Sequence, residues 1–271
     1  MKLAADMDVI FQMWGSFRQH LIAEHRFYVD QAKHRVLFVL SDADLDQAQS
    51  EFADEYLKKS GKCFDPDSDP ADYYEAAYHH AIDSTLMLTE LRLHTLLSVT
   101  AGMYHLWEKR LRAWVQKELN HNFGGEKLSE QIWKVDMSRV IELLGACGWT
   151  SLPLAYEKIR QCALIVNVFK HGNGRSLKEL KAKYPEFLDD SGLIQTQFPD
   201  AWESLSITDN HLDDFADAIE EFWQAVPENL TCADAKNSMV PAPQCFEDAI
   251  KADKKTETKA AKAKVLNQST P

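Results

Sequence analysis

Residues 71–123 contain no proline and a single glycine, Gly102. A run this long without a breaker exceeds an ordinary globular helix, so it forms one very long helix or two nearly collinear ones. Its second half, ELRLHTLLSVTAGMYHLWEKRLRAWVQKEL, places Leu93, Leu96, Leu97, Met103, Leu106, Trp107, Leu111 and Trp114 on a broad apolar face, with Arg92, Glu108, Lys109, Arg112 and Lys117 opposite. A chain organised around such an element buries it by packing helix on helix. No stretch shows the period of two expected of a half-buried strand. The fold class read from the chain is all-α, a bundle of long helices.

The flanking segments agree with that reading. Apolar residues at intervals of three and four between residues 3 and 40 predict a first long helix, broken near Arg26. Ser41 with Asp44 reads as a capping box for a second helix that ends at Gly61. After the Pro- and Asp-rich loop CFDPDSDP, Asp69 followed by Pro70 is a cap and first-turn pair. A helix is expected around residues 136–145, and another from Pro153 to Gly172. Ser176 with Glu179 reads as a second capping box, for a short helix. Thr208 or Asp209 caps a closing amphipathic helix that Pro227 stops. Residues 228–271 turn to Ala, Lys and polar types and read as a flexible tail. The expected division is thus an N-terminal helical extension over 1–66, a bundle over 67–227 and a flexible C-terminal tail over 228–271.

The net charge of −12 argues against indiscriminate adhesion to nucleic acid or anionic membrane, so any polyanion site must be local. Five widely spaced cysteines without a CxxC pair fit reduced thiols in a cytosol. No apolar run reaches bilayer length and the first thirty residues lack a cleavage signature, so a cytoplasmic protein without membrane partners is expected. Trp107, Trp114, Trp133, Trp149 and Trp223 exceed what one bundle core easily absorbs, which points to aromatic anchors at a homodimer interface.

Chemistry concentrates in LPLAYEKIRQCALIVNVFKHGNGRS, residues 152–176. At 100° per residue Arg160, Leu164, Asn167 and His171 share one face, while Tyr156, Ile159, Cys162, Ala163, Val166 and Phe169 form the apolar stripe. Lys170 stands beside His171 at the helix end, where cations are favoured. Metal signatures are weak: one ExxH at Glu118 and His121, and no HExxH. GxSxG, Walker and GxGxxG loops are absent, and no cofactor is implied. The cluster left standing is His171, Lys170, Arg160 and Arg175. It matches the needs of metal-free RNA cleavage, which are a base for the 2′-hydroxyl proton, an acid for the leaving oxygen and cations for the phosphorane. The structural alternative has His171 and Lys170 capping a helix end and Arg160 paired with Glu157 or Glu108.

The pattern NxxKHGxGxS after an apolar helix, preceded by RxxxLLxxxxxxxxxWExxL and followed by an amphipathic helix, resembles the HEPN superfamily of small helical bundles. Arg92, Leu96, Leu97, Glu108 and Leu111 carry the first part of the likeness, and Asn167, Lys170, His171, Gly172, Gly174 and Ser176 the second. Many members are bacterial toxins or antiphage ribonucleases. With the resemblance, His171, Lys170 and Asn167 are expected to be catalytic beside Arg160 from the chemical argument, and Glu108 and Arg92 to contact substrate beside Arg175 from the same argument. The resemblance further implies RNA as substrate, an antitoxin or defence-system partner, and a homodimer. One departure stands out. HEPN ribonucleases carry an arginine separated from the histidine by four to six residues, whereas Arg160 precedes His171 by eleven positions, about 16 Å of helix. The other reading is a non-catalytic helical adaptor or sensor whose polar row binds a phosphate, a nucleotide or a protein.

Overall fold

A computed structural model describes residues 9–40, 42–63, 69–150, 152–189 and 204–268. The chain is all-α, as expected, with one small exception. In order, the elements are β1 (Val9–Gln12), α1 (Gly15–Ala32), α2 (Asp42–Ser60), α3 (Pro70–Asn122), α4 (Glu126–Lys134), α5 (Met137–Ala146), α6 (Ala155–His171), α7 (Arg175–Lys183), α8 (Asp209–Ala225), β2 (Asn229–Thr231), α9 (Cys232–Asn237) and α10 (Gln244–Gln268). A π turn and a 3-10 turn (Lys33–Leu37, Phe38–Leu40) follow α1.

The breaker-free run is one helix of 53 residues. Its start is set by Asp69, whose carboxylate accepts from the Ala71 N–H at 2.9 Å. Gly102 does not break it. A Cβ there would collide with the Tyr28 hydroxyl, which instead donates to the Val99 carbonyl at 3.1 Å. The lone glycine is a close-approach position.

The chain divides into two compact units, with boundaries that fall inside α1, α3, α6 and α8. This interleaving replaces the linear division expected from composition. The first unit holds residues 1–25, 105–159 and 217–271. Its centre is aromatic: Phe222 lies 5.2 Å from the rings of both Trp107 and Trp149, and Phe11 lies 5.4 Å from Trp114. Trp107, Trp114, Trp149 and Trp223 are buried, so they serve the core and supply no interface anchors. Trp133 is 46 % exposed and donates to Gln116.

The exception to the all-α reading lies in this unit. β1 pairs antiparallel with β2, where the sequence had suggested the first turns of a helix. Two strands alone are marginal in water. Here α3 braces them: the Trp114 indole donates to the Gln12 carbonyl at 3.1 Å, Asn122 donates to Ile10 at 2.7 Å, and Glu118 accepts from the Gln12 N–H at 3.1 Å. None of these contacts leaves a trace in local periodicity.

The expected flexible tail is corrected here as well. It contains β2, α9 and α10, and Phe246, Ala249, Ile250 and Asp253 of α10 are buried. Helix α4, also absent from the sequence reading, has no capping side chain of its own. The Asp253 carboxylate supplies the cap, accepting from Lys127 N–H at 3.0 Å and Leu128 N–H at 2.9 Å. Gly125 allows this approach. Its φ is +122° and any Cβ would run into Asp253.

The second unit holds residues 26–104 and 160–216. Leu96, Leu97, Val99 and Met103 of α3 are buried in it, and so are Cys162, Ile165, Val166 and Val168 of α6. The expected contact between the helix ending at His171 and the long helix is present: Phe169 meets His94 of α3 at 5.1 Å. Arg92 donates to Asp209 at 2.8 Å, tying α3 to the first turn of α8. Thr208 caps α8 reciprocally with His211, as the sequence allowed. The capping box proposed at Ser41 lies outside the described residues. That at Ser176 is not formed. Gly174 is the N-cap of α7, and Ser176 and Glu179 lie inside the helix.

Replacing Asp253 by Ala orphans two N–H groups of α4 and should lower stability by about 1–3 kcal/mol. Gly125→Ala should cost a similar amount through backbone strain and the clash. Urea unfolding checks both, and hydrogen exchange should show the loss concentrated in the first turn of α4 and in α10.

Candidate functional site

Helix α6 turns Arg160, Asn167, Lys170 and His171 to solvent, as the wheel required. Of the expected apolar stripe Ile159, Cys162 and Val166 are buried and Tyr156, Ala163 and Phe169 half-buried, while Ile165 and Val168, outside that stripe, are buried as well. Burial drives the Cys162 thiol far up, which leaves it an inert apolar filler. Gly172 ends the helix in the left-handed region at φ +65°, and its N–H closes on the Val168 carbonyl at 2.8 Å. Three residues later α7 begins. The chain reverses at once, and the last turn of α6 and the first turn of α7 form one corner.

That corner is cationic. Between residues 167 and 183 stand Lys170, Arg175, Lys178, Lys181 and Lys183 against one carboxylate, Glu179. Five minus one gives a local +4 in a chain of −12. Leu177 and Leu180 anchor α7 from beneath, so Arg175, Lys178 and Lys181 are held outward on the opposite face. With Asn173, Gly174 and Leu177 these three side chains line an open groove of about 570 Å³. Lys178 and Lys181 were not singled out from the sequence. The signal was present as cations at intervals of three, but the segment read as a helix with its own capping box.

Glu179 receives Lys183 at 2.8 Å and Arg160 at 3.6 Å. The Lys183 hydrogen bond, with help from Lys183, Arg160 and Arg175 charges, holds its carboxyl below the usual carboxylate range. Glu179 is thereby kept ionised and neutralised, and Arg160 is drawn toward α7.

The residues singled out in the sequence therefore separate into two groups. Asn167, Lys170, His171 and Arg175 share the corner, and the first three make no side-chain hydrogen bond or ion pair among the described residues. Arg160, Arg92 and Glu108 stand in ion pairs. Arg92 holds Asp209. Glu108 accepts from Arg112 at 2.7 Å and meets His105 at 3.3 Å, and it belongs to the first unit. Arg112 is buried, so Glu108 is the counter-charge that permits its burial. The pairings considered for Arg160 were Glu157 and Glu108; the ion pair described above is to Glu179. A second imidazole missed by sequence reasoning is His94, brought by α3 against Phe169. That meeting is purely tertiary and has no local signal.

Among the described residues no group of three His, Cys, Asp or Glu side chains is placed to hold a metal ion. Among them also, no helix is long and apolar enough to cross a membrane. Comparison with known protein families, with curated proteins and with solved structures gives no match. The geometry of the corner is what remains to argue from. It presents an imidazole, an ammonium and a guanidinium to solvent beside further cations, an arrangement suited to a phosphate diester.

Removing the only carboxylate should strengthen polyanion binding. Glu179→Gln should raise the affinity for polyphosphate roughly two- to fivefold, the size expected of one exposed charge, as read by titration at neutral pH. Because the folded-state carboxyl titrates low, the stability Glu179 contributes is present above its unfolded value and is lost as pH falls through the folded one. The thermal difference between wild type and Glu179→Gln should accordingly be seen at neutral pH and vanish in acid.

Proposed function

We propose that this chain is a HEPN-like, metal-independent endoribonuclease of the toxin or antiphage class, with the α6–α7 corner as its active site. The observation that carries the proposal is the solvent-facing set Lys170, His171 and Arg175 beside the Lys178 and Lys181 row, in a protein otherwise strongly acidic. The KHGxG likeness supports the same reading.

In this mechanism the phosphate backbone lies along α7, held by Arg175, Lys178 and Lys181. His171 takes the proton from the 2′-hydroxyl, since an imidazole is suited to proton transfer near neutral pH. The 2′-oxygen attacks phosphorus and the bond to the 5′-oxygen breaks, leaving a 2′,3′-cyclic phosphate and a 5′-hydroxyl. Lys170 supplies the proton to the departing oxygen, and Arg175 offsets the charge that builds on the phosphorane. Arg160 acts one step away by neutralising Glu179. We further propose that the protein works as a homodimer under the control of a partner protein. Leu86, Met87 and Leu91 of α3, each more than half exposed, provide apolar surface for a second copy.

A second reading is favoured by one specific feature. The family separates its arginine from the histidine by four to six residues, whereas Arg160 lies eleven positions before His171 and pairs with Glu179. On that reading the same corner binds RNA or a nucleotide without cutting it, as an adaptor or sensor would.

His171→Ala should reduce cleavage of single-stranded RNA by about 10²–10⁴-fold, the span of general acid–base catalysis. Its melting temperature should barely move, because a helix-terminal imidazole is worth only about 0.3–1 kcal/mol. Lys170→Ala and Arg175→Ala should weaken both binding and cleavage. Cleavage that persists in folded His171→Ala removes the catalytic assignment, and binding without a cyclic-phosphate product in the wild type selects the adaptor reading.

A further inference from the structure

Helix α10 changes character at Asp253. Up to that residue it is docked through Phe246, Ala249 and Ile250, with the Asp253 carboxylate holding the first turn of α4. Beyond it the helix runs on to Gln268, and every residue from Lys254 through Ala261 is exposed. Residues 254–268 contain five lysines (254, 255, 259, 262 and 264) and one carboxylate, Glu257. Five minus one is again +4, in a chain of net −12. Positions 255, 259 and 262 recur at four and three and so lie along one side of the helix.

The rest of this stretch decides what it can bind. Between Lys254 and Lys264 the apolar residues are Ala260, Ala261 and Ala263, and Val265 and Leu266 follow only as one adjacent pair, with no bulky apolar residue three or four positions before them. A helix that inserts into a membrane surface needs an apolar face of bulky residues. A helix that seats in a protein groove needs apolar anchors at intervals of three and four. Neither is available here. What the helix offers is a dense row of positive charge on a small-residue backbone, which suits a ligand whose own charge is dense and regular. Duplex DNA carries one negative charge per about 1.7 Å of axis, and release of its condensed counterions drives lysine-rich segments onto it.

We propose that residues 254–268 form a nucleic-acid-binding arm that grips the phosphate backbone without reading base sequence. The arm does not depend on the α6–α7 reading; it belongs to the other unit and uses different cations. Lysines four apart repel one another along a free helix, and a helix of this length is marginal in water when nothing covers it. Phosphate contacts relieve that repulsion, so the arm gains helicity on binding.

The test uses the full chain with Lys254, Lys255 and Lys259 all changed to Gln, and fluorescence anisotropy with a labelled single-stranded RNA or DNA of about 20 nucleotides, across salt from about 50 to 200 mM. The variant should bind roughly tenfold more weakly at the low-salt end. Its slope of log affinity on log salt should be shallower by about 2, from loss of three phosphate contacts. Unfolding should be unchanged because the three side chains are exposed, and Lys→Arg at the same positions should keep the wild-type slope. Equal affinity and slope in wild type and Gln variant overturn the arm. So does a wild type that binds polyglutamate as tightly as RNA, which assigns the helix to an acidic protein, or one that sediments with anionic vesicles only through these lysines. At saturating RNA the Gln variant should cleave at the wild-type rate if the α6–α7 corner is catalytic; the anisotropy result stands either way.

Discussion

The long helix α3 is the constraint to which the other elements answer. A helix of 53 residues has little stability of its own in water, and most of what it has must come from covering its apolar side. In the first unit that cover is aromatic, with Trp107, Leu111, Trp114, Val115 and Leu119 all buried. In the second unit Leu96, Leu97 and Met103 are buried, and toward the start of the helix the buried positions shrink to Ala77, Ala81 and Ser84. The buried Arg112 lies on the same helix, and it is tolerated because Glu108 and the Ile132 carbonyl satisfy it. An unpaired guanidinium at that depth would cost several kcal/mol.

Charge in this protein is unevenly distributed along the chain. Ion pairs that join separate elements neutralise cations elsewhere: Arg110 with Glu24, Arg92 with Asp209, Lys33 with Asp213. The hydrogen bond from Arg110 holds the Glu24 carboxyl below its ordinary range, as expected of a committed pair. Against that background two stretches keep an excess of positive charge at the surface, the α6–α7 corner and the outer part of α10. On the proposed readings these two stretches are where a phosphate backbone would approach an otherwise acidic chain.

The glycines show how local chemistry and distant contacts meet. Gly172 could be placed from sequence because a helix end calls for the left-handed conformation whatever surrounds it. Gly102 could not. Its reason is Tyr28, more than seventy positions earlier. Gly125 is conditioned in the same way by Asp253.

Periodicity and breakers are properties of neighbours in the chain, and they were enough for the all-α class, the long helical run of residues 71–123, the span of α6, the cap at Asp69, and the outward face bearing Asn167, Lys170 and His171, while only the fold made that run a single helix and chose Thr208 over Asp209 as a cap. The tertiary structure alone decided the rest. The β1–β2 ribbon exists because α3 side chains hold its backbone, and α10 docks because Asp253 finds the bare first turn of α4. The tryptophans turned inward because their partners, such as Phe222 and Phe11, lie far away in sequence. Arg160 met Glu179 for a like reason, since Glu179 is brought to it only by the reversal at Gly172. Local pattern reports what a segment can bury; only the folded chain settles which charges find partners, because ion pairs form between residues that the backbone has first to bring together.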